Sequence, residues 1–166
     1  MKPNTLSMLF AFLCAFLLLA VPAWGHGDGG HDHEHGHKHG DKMHDAKKGI
    51  LLVTFGTSSP EARAALDNID DIVNKAYPDT PIRWGYTSKM IRKKLANEEG
   101  EHLSSPAEAL ARMQDEGFTH VAVQSLHVIP GSEFHDLRSV VQGFRDMNGG
   151  LKKITLGNPL LAEPES

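Results

Sequence analysis

Residues 49–161 predict an α/β fold, a four-stranded parallel sheet with flanking helices. Short apolar runs rich in β-branched residues alternate there with segments whose apolar residues recur at helical spacing. The connections are short, and strand–helix alternation of this kind implies right-handed crossovers and a parallel sheet. Capping and turn residues stand where one periodicity gives way to the other.

Residues 49–56 (GILLVTFG) read as a buried strand. Ser58-Ser59-Pro60-Glu61 then opens a helix: a serine caps free amides, Pro60 suits the first turn, and Glu61 favours the positive helix end. Ala62, Leu66, Ile69 and Val73 repeat at helical spacing until Tyr77-Pro78-Asp79 ends the element. Residues 81–86 (PIRWGY) are the second strand, and Thr87-Ser88 leads into a short basic helix over 89–97. Ser105-Pro106-Ala107-Glu108 has the capping-box pattern, and that helix ends at Gly117, a good left-handed cap. Residues 120–129 (HVAVQSLHVI) are the third strand. Phe134, Leu137, Val140, Val141 and Phe144 mark a helix over 132–147. Asn148-Gly149-Gly150 turns the chain into a fourth strand over 151–156.

In open parallel sheets, ligands bind outside the carboxyl ends of the strands. The residues following the four strands are Thr57 with Ser58, Thr87 with Ser88, His127 through Glu133, and residues 157–161. The first loop is small, hydroxylic and opens a helix, as an anion or carboxylate site requires. It has neither GxxxxGK[ST] nor GxGxxG, and a well-capped turn explains its serines equally well. His127 sits where an apolar strand meets the rim. An imidazole there suits metal ligation or proton transfer, and equally a buried histidine bonded to backbone. Glu133 lies in a first helical turn, where simple charge stabilisation also accounts for it. His135 points elsewhere on that helix, and His102 and His120 read as surface residues. Lys89, Arg92, Lys93 and Lys94 read first as a solvated face, with steering of an acidic ligand as the functional alternative.

Two segments precede this domain. Residues 1–25 start with Lys2, run nearly all-apolar from Leu6 to Val21, and end in Pro22-Ala23-Trp24-Gly25, the pattern of a cleaved export signal. The apolar run of about 16 residues is short of the roughly 20 that a spanning helix needs. The expectation is a periplasmic protein that meets a membrane only during export. Residues 26–48 carry seven of the chain's 11 histidines: His26, His31, His33, His35, His37, His39 and His44. With almost nothing apolar to bury, the segment is expected to be disordered. Its imidazoles and carboxylates suit Co²⁺, Ni²⁺, Cu²⁺ or Zn²⁺. An expression tag and a solvating linker are the plainer alternatives. Residues 162–166 read as a tail.

Composition narrows the partners. The net charge of −4 over 166 residues leaves no basic surplus for a nucleic acid. The one cysteine, Cys14, allows no internal disulfide and no CxxC zinc site, and departs with the signal.

VTFGTSSPEAR, YTSKMIRKKL, SPAEALARMQDEGFTHVAVQSLHVIPGSEF and ITLGNPLL occur in that order. Over about residues 48–161 the chain resembles the anaerobic sirohydrochlorin cobaltochelatase family, class II chelatases of exported type. The resemblance implies one lobe of a ferrochelatase-like fold. It implies ATP-independent insertion of Co²⁺, or of Fe²⁺ in related activity, into a carboxylate-rich tetrapyrrole. Thr57, Ser58 and Ser88 then become substrate-binding residues. Glu133 matches a carboxylate at the cleft. His127 matches a histidine implied as an axial haem b ligand at a subunit contact, hence a homo-oligomer. Family members have two similar lobes. Their principal catalytic histidine, in a Gly-His-Gly motif after the first strand of the second lobe, has no counterpart in residues 49–161. The expectation is therefore the first lobe of a truncated chelatase, with a stand-alone half-unit as the other explanation. A metal or haem carrier is the competing function.

Overall fold

The computed structural model describes residues 46–162. The residues expected to form an export signal, the seven tract histidines and most of the expected tail therefore lie outside the described residues. The elements are β1 (Lys48–Thr54), α1 (Pro60–Ala76), β2 (Ile82–Tyr86), α2 (Lys89–Glu98), α3 (Pro106–Asp115), β3 (His120–Ser125), α4 (Ser132–Arg145) and β4 (Lys153–Gly157). The sheet order is β2-β1-β3-β4 and every pairing is parallel, as the strand–helix alternation requires.

β1 occupies the middle because both of its faces are apolar. Ile50, Leu51, Leu52 and Val53 are all at most 1% exposed. Successive side chains point to opposite faces, so Leu51 and Val53 face one helical layer and Ile50 and Leu52 the other. Leu51 and Val53 join Val121, Val123 and Ile154 on neighbouring strands to form the main core. α3 covers it with Ala109, Leu110 and Met113, and α4 with Leu137 and Val141. Fully burying such a side chain is worth about 1.5–3 kcal/mol. On the other face, Trp84 stands in register with Leu52 and donates from Nε1 to Asp70 Oδ1 at 2.7 Å. That bond ties β2 to α1.

The helix starts follow the capping rule. Ser59, Ser88 and Ser105 accept from the backbone N–H groups of Ala62, Ile91 and Glu108, each satisfying a donor that has no partner within the helix. α4 differs: its N-cap is Gly131 and no side chain caps it. Gly49 has a packing reason, since a Cβ there would come within 2.6 Å of the Phe118 ring and 2.7 Å of Met113.

At four elements a boundary lies two or more residues from the sequence expectation. β1 ends at Thr54 rather than at 56, because Gly56 takes φ +96, outside the strand region. β3 ends at Ser125 rather than at 129. Val53 opposite Ser125 is the last pair with β1, and the Ser125 hydroxyl then accepts the His127 N–H, which turns the chain out of the ladder. α4 ends at Arg145 rather than at 147. Asp146 closes the last turn by donating its N–H to Gln142 O and accepting the Gln142 amide on its carboxylate. β4 covers Lys153–Gly157 rather than 151–156, and Leu151 is buried in the core before the strand begins.

Leu110→Ala is expected to cost about 2–5 kcal/mol through the cavity it leaves. Gly49→Val is expected to cost about 1–3 kcal/mol by overpacking against Phe118 and Met113. In urea unfolding both midpoints should fall with an unchanged slope, and a Gly49→Val midpoint equal to wild type contradicts the close packing.

Candidate functional site at the carboxyl rim of the sheet

The loops after the four strands are bonded to one another. Beyond β1, Thr54 O and Phe55 O accept the N–H groups of Thr87 and Ser88 from the β2 loop, at 2.9 and 3.1 Å. Leu126 donates its N–H to Val53 O at 2.7 Å. Beyond β4, Leu160 and Leu161 donate to His127 O and Val128 O at 2.8 and 2.9 Å. The rim expected from the sheet topology therefore exists as a connected backbone surface.

His127 reaches across it. Its Nδ1 lies 2.8 Å from Ser125 Oγ and its Nε2 lies 3.3 Å from Thr87 Oγ1, so the half-buried ring spans the end of β1 between two hydroxyls. Ser125 is fully buried, and the same Oγ accepts the His127 backbone N–H at 3.2 Å. A neutral imidazole has one N–H donor and one acceptor. Hydroxyls donate or accept, so this pair accommodates either tautomer without turning the ring. Burial holds the His127 pKa below the ordinary histidine range, while the Glu133 charge pulls the other way. The ring is therefore neutral near pH 7, the form that accepts a proton or offers a lone pair to a metal.

The remaining residues expected at the site take distinct places. Thr57 Oγ1 accepts the Ser59 N–H at 3.0 Å within the turn that opens α1. Ser58 is half-buried, and Lys94 Nζ on α2 donates to its Oγ at 3.4 Å. Ser88 is 6% exposed and its hydroxyl caps α2. Glu133 is in the first turn of α4, close enough to attract the His127 charge. His135 is exposed. His102 is exposed and paired with Glu108 of the first turn of α3 at 2.8 Å. His120 begins β3 at the opposite end of the sheet and is half-buried beside Thr119, less open than the surface position its sequence context suggested. On α2, Lys89, Lys93 and Lys94 are exposed as expected, but Arg92 is half-buried and its Nε has no hydrogen-bond partner among the described residues.

Ser125 is the site residue that sequence reasoning missed. The only available signal was a serine two positions before a histidine at a strand end. Among the described residues no three His, Cys, Asp or Glu side chains gather as a metal site. The rim instead combines one neutral imidazole, one carboxylate, several hydroxyls and a lysine, with Phe55, Val128, Ile129 and Leu161 exposed in its loops.

These features define a parallel α/β domain with a candidate site at its carboxyl rim and no nucleotide-binding glycine loop. The family model of cobalt chelatase (CbiK) matches residues 48–165, and the chain belongs to that family. It is 42% identical over 116 residues to the sirohydrochlorin cobaltochelatase CbiKC of Nitratidesulfovibrio vulgaris. It is 33% identical over 117 residues to a sirohydrochlorin cobaltochelatase of Salmonella typhimurium. The matched stretch is 70% of this chain but only 40% and 43% of those two relatives.

The depressed His127 pKa has a consequence for stability. The folded chain binds that proton less readily than the unfolded chain does. The contribution is whole above about pH 6.5, the unfolded value, and is lost as pH falls below it. Between pH 7.5 and 5, His127→Gln is therefore expected to lose less of its Tm than wild type. Equal losses in thermal unfolding contradict a buried, neutral His127.

Proposed function

We propose that this domain takes part in inserting Co²⁺ into sirohydrochlorin, the activity named for both relatives. The carrying observation is that the family match spans the whole domain and includes a rim on which a neutral imidazole is held between two hydroxyls.

The substrate is a flat macrocycle edged with carboxylates, and Co²⁺ is the metal substrate. Insertion requires removal of pyrrole protons and delivery of a metal stripped of water. A neutral His127 is suited to accept a proton or hold the metal in passing. Glu133 offsets the positive charge that either event brings to the ring. Thr57 and Ser58 supply hydroxyls, and Lys94 a cation, for the substrate carboxylates. Ser88 contributes chiefly by fixing the start of α2. Fe²⁺ and Ni²⁺ suit the same nitrogen and oxygen donors, so selection among these metals rests on supply and geometry.

Export of the chain to the periplasm, with the His26–His44 tract capturing metal for the domain, belongs to the same proposal. A haem on His127 at a contact between copies is the competing use of the same nitrogen. A neutral imidazole at a rim with exposed apolar side chains has the donor nitrogen such a group would need, and His127 would hold its iron.

Titration of sirohydrochlorin into the full chain, read by quenching of tetrapyrrole fluorescence, is expected to saturate. Lys94→Glu should weaken that binding about two- to fivefold, the size of an exposed charge interaction. Absence of saturable binding removes the proposed substrate. Deleting residues 26–48 should lower the number of Co²⁺ ions bound in calorimetry without changing the fold seen by circular dichroism. A Soret band on haem addition should be lost in His127→Ala, and an unchanged band assigns any haem elsewhere.

A further inference from the structure

A cavity lies between α4 and the edge strand β4 and reaches the rim at Asn158. It is a recess of about 220 Å³, open to solvent. Arg138, Gln142 and Arg145 line it from α4 and Asn158 from the loop after β4, with Phe134 and Leu156 among the apolar residues of its wall. Helical spacing makes this one surface, since residues 134, 138, 142 and 145 recur every three or four positions.

The two arginines distinguish the cavity. Arg63, Arg83 and Arg112 each pair with a glutamate. Neither Arg138 nor Arg145 is within ion-pair distance of a carboxylate among the described residues, in a chain with 21 acidic residues. The Arg138 guanidinium lies over the Phe134 ring at 5.2 Å. Arg145 Nη2 donates to Ile154 O and Nη1 to Gln142 Oε1, both at 3.3 Å. A guanidinium has five N–H donors, so both retain donors for an incoming anion. Among the described residues no acidic one lines the cavity.

We propose that this cavity is a binding site for a small organic carboxylate, one with an apolar body carrying one or two carboxylate groups. The guanidiniums receive the carboxylate in paired N–H···O bonds. Gln142 and Asn158 offer amide donors, and Leu156 takes the apolar body. The volume suits a ligand of about ten non-hydrogen atoms, far smaller than a tetrapyrrole. Arg145 already lies against Ile154 O, which stands in the way of a peptide strand adding to β4. Asn158 connects the cavity to the rim through its backbone carbonyl, which accepts from Gln124 Nε2 at 3.3 Å.

The test is a titration of the ¹⁵N-labelled full chain with phthalate, an aromatic dicarboxylate, followed in two-dimensional NMR spectra. Saturable shifts are expected in the side-chain amides of Gln142 and Asn158. Arg138→Gln/Arg145→Gln should weaken binding at least tenfold, while Arg112→Gln, outside the cavity, leaves it unchanged. Circular dichroism of the double variant checks that it folds. Inorganic phosphate forms a parallel arm and should bind more weakly, because it cannot use the apolar wall. No saturable shift in phthalate overturns the site, as does binding that survives the double substitution. Phosphate binding as tightly as phthalate overturns its assignment to organic carboxylates.

Discussion

The structure depends on the burial of β1 on both faces. A strand so apolar has one stable place, the inside of a parallel sheet covered by helices above and below. From that placement the rest follows. β2 and β3 become its neighbours, one through Leu52 beside Trp84 and the other through Val53 beside Ser125. α3 and α4 settle on the Leu51–Val53 face, and α1 is drawn to the other by Trp84 and Asp70. Parallel pairing then brings all the strand ends that face the rim into one region, because no hairpin reverses any of them.

The site is a product of this geometry more than of any local motif. Ser125 ends its strand where pairing with β1 stops, opposite Val53. The freed hydroxyl then holds the His127 backbone and ring together. Thr87 reaches the same ring from 40 residues away because the β2 loop is bonded to the β1 loop. The pKa of His127 is lowered by the burial this folding imposes, the dominant effect, with the Glu133 charge opposing it. A carboxyl rim built this way tolerates changes in loop chemistry without change of scaffold, which is why a shared fold by itself does not specify a reaction.

Sequence reasoning reached different depths at different residues. Ser105-Pro106-Ala107-Glu108 announced a helix start because capping is a bond between near neighbours. Gly117 was legible as a cap and has φ +83. The end of β3 was not legible: residues 126–129 keep the apolar character of a strand, and the loss of a partner strand is not a local property. The fates of the rim serines were equally hidden. Ser58 and Ser88 are alike in sequence, yet one meets a lysine and the other is buried as a cap.

By itself, the sequence determined the number, order and kind of elements, the parallel sheet and the burial of its first strand. All of these follow from periodicity, capping and short connections, which act over a few residues. It also carried the family resemblance, because the motifs are contiguous. Tertiary structure alone decided which side chains meet: His127 with Thr87 and Ser125, Lys94 with Ser58, and two arginines lining a cavity without a carboxylate beside them. Those meetings depend on strand order and on where each ladder stops, and both are set by packing between segments far apart in the chain.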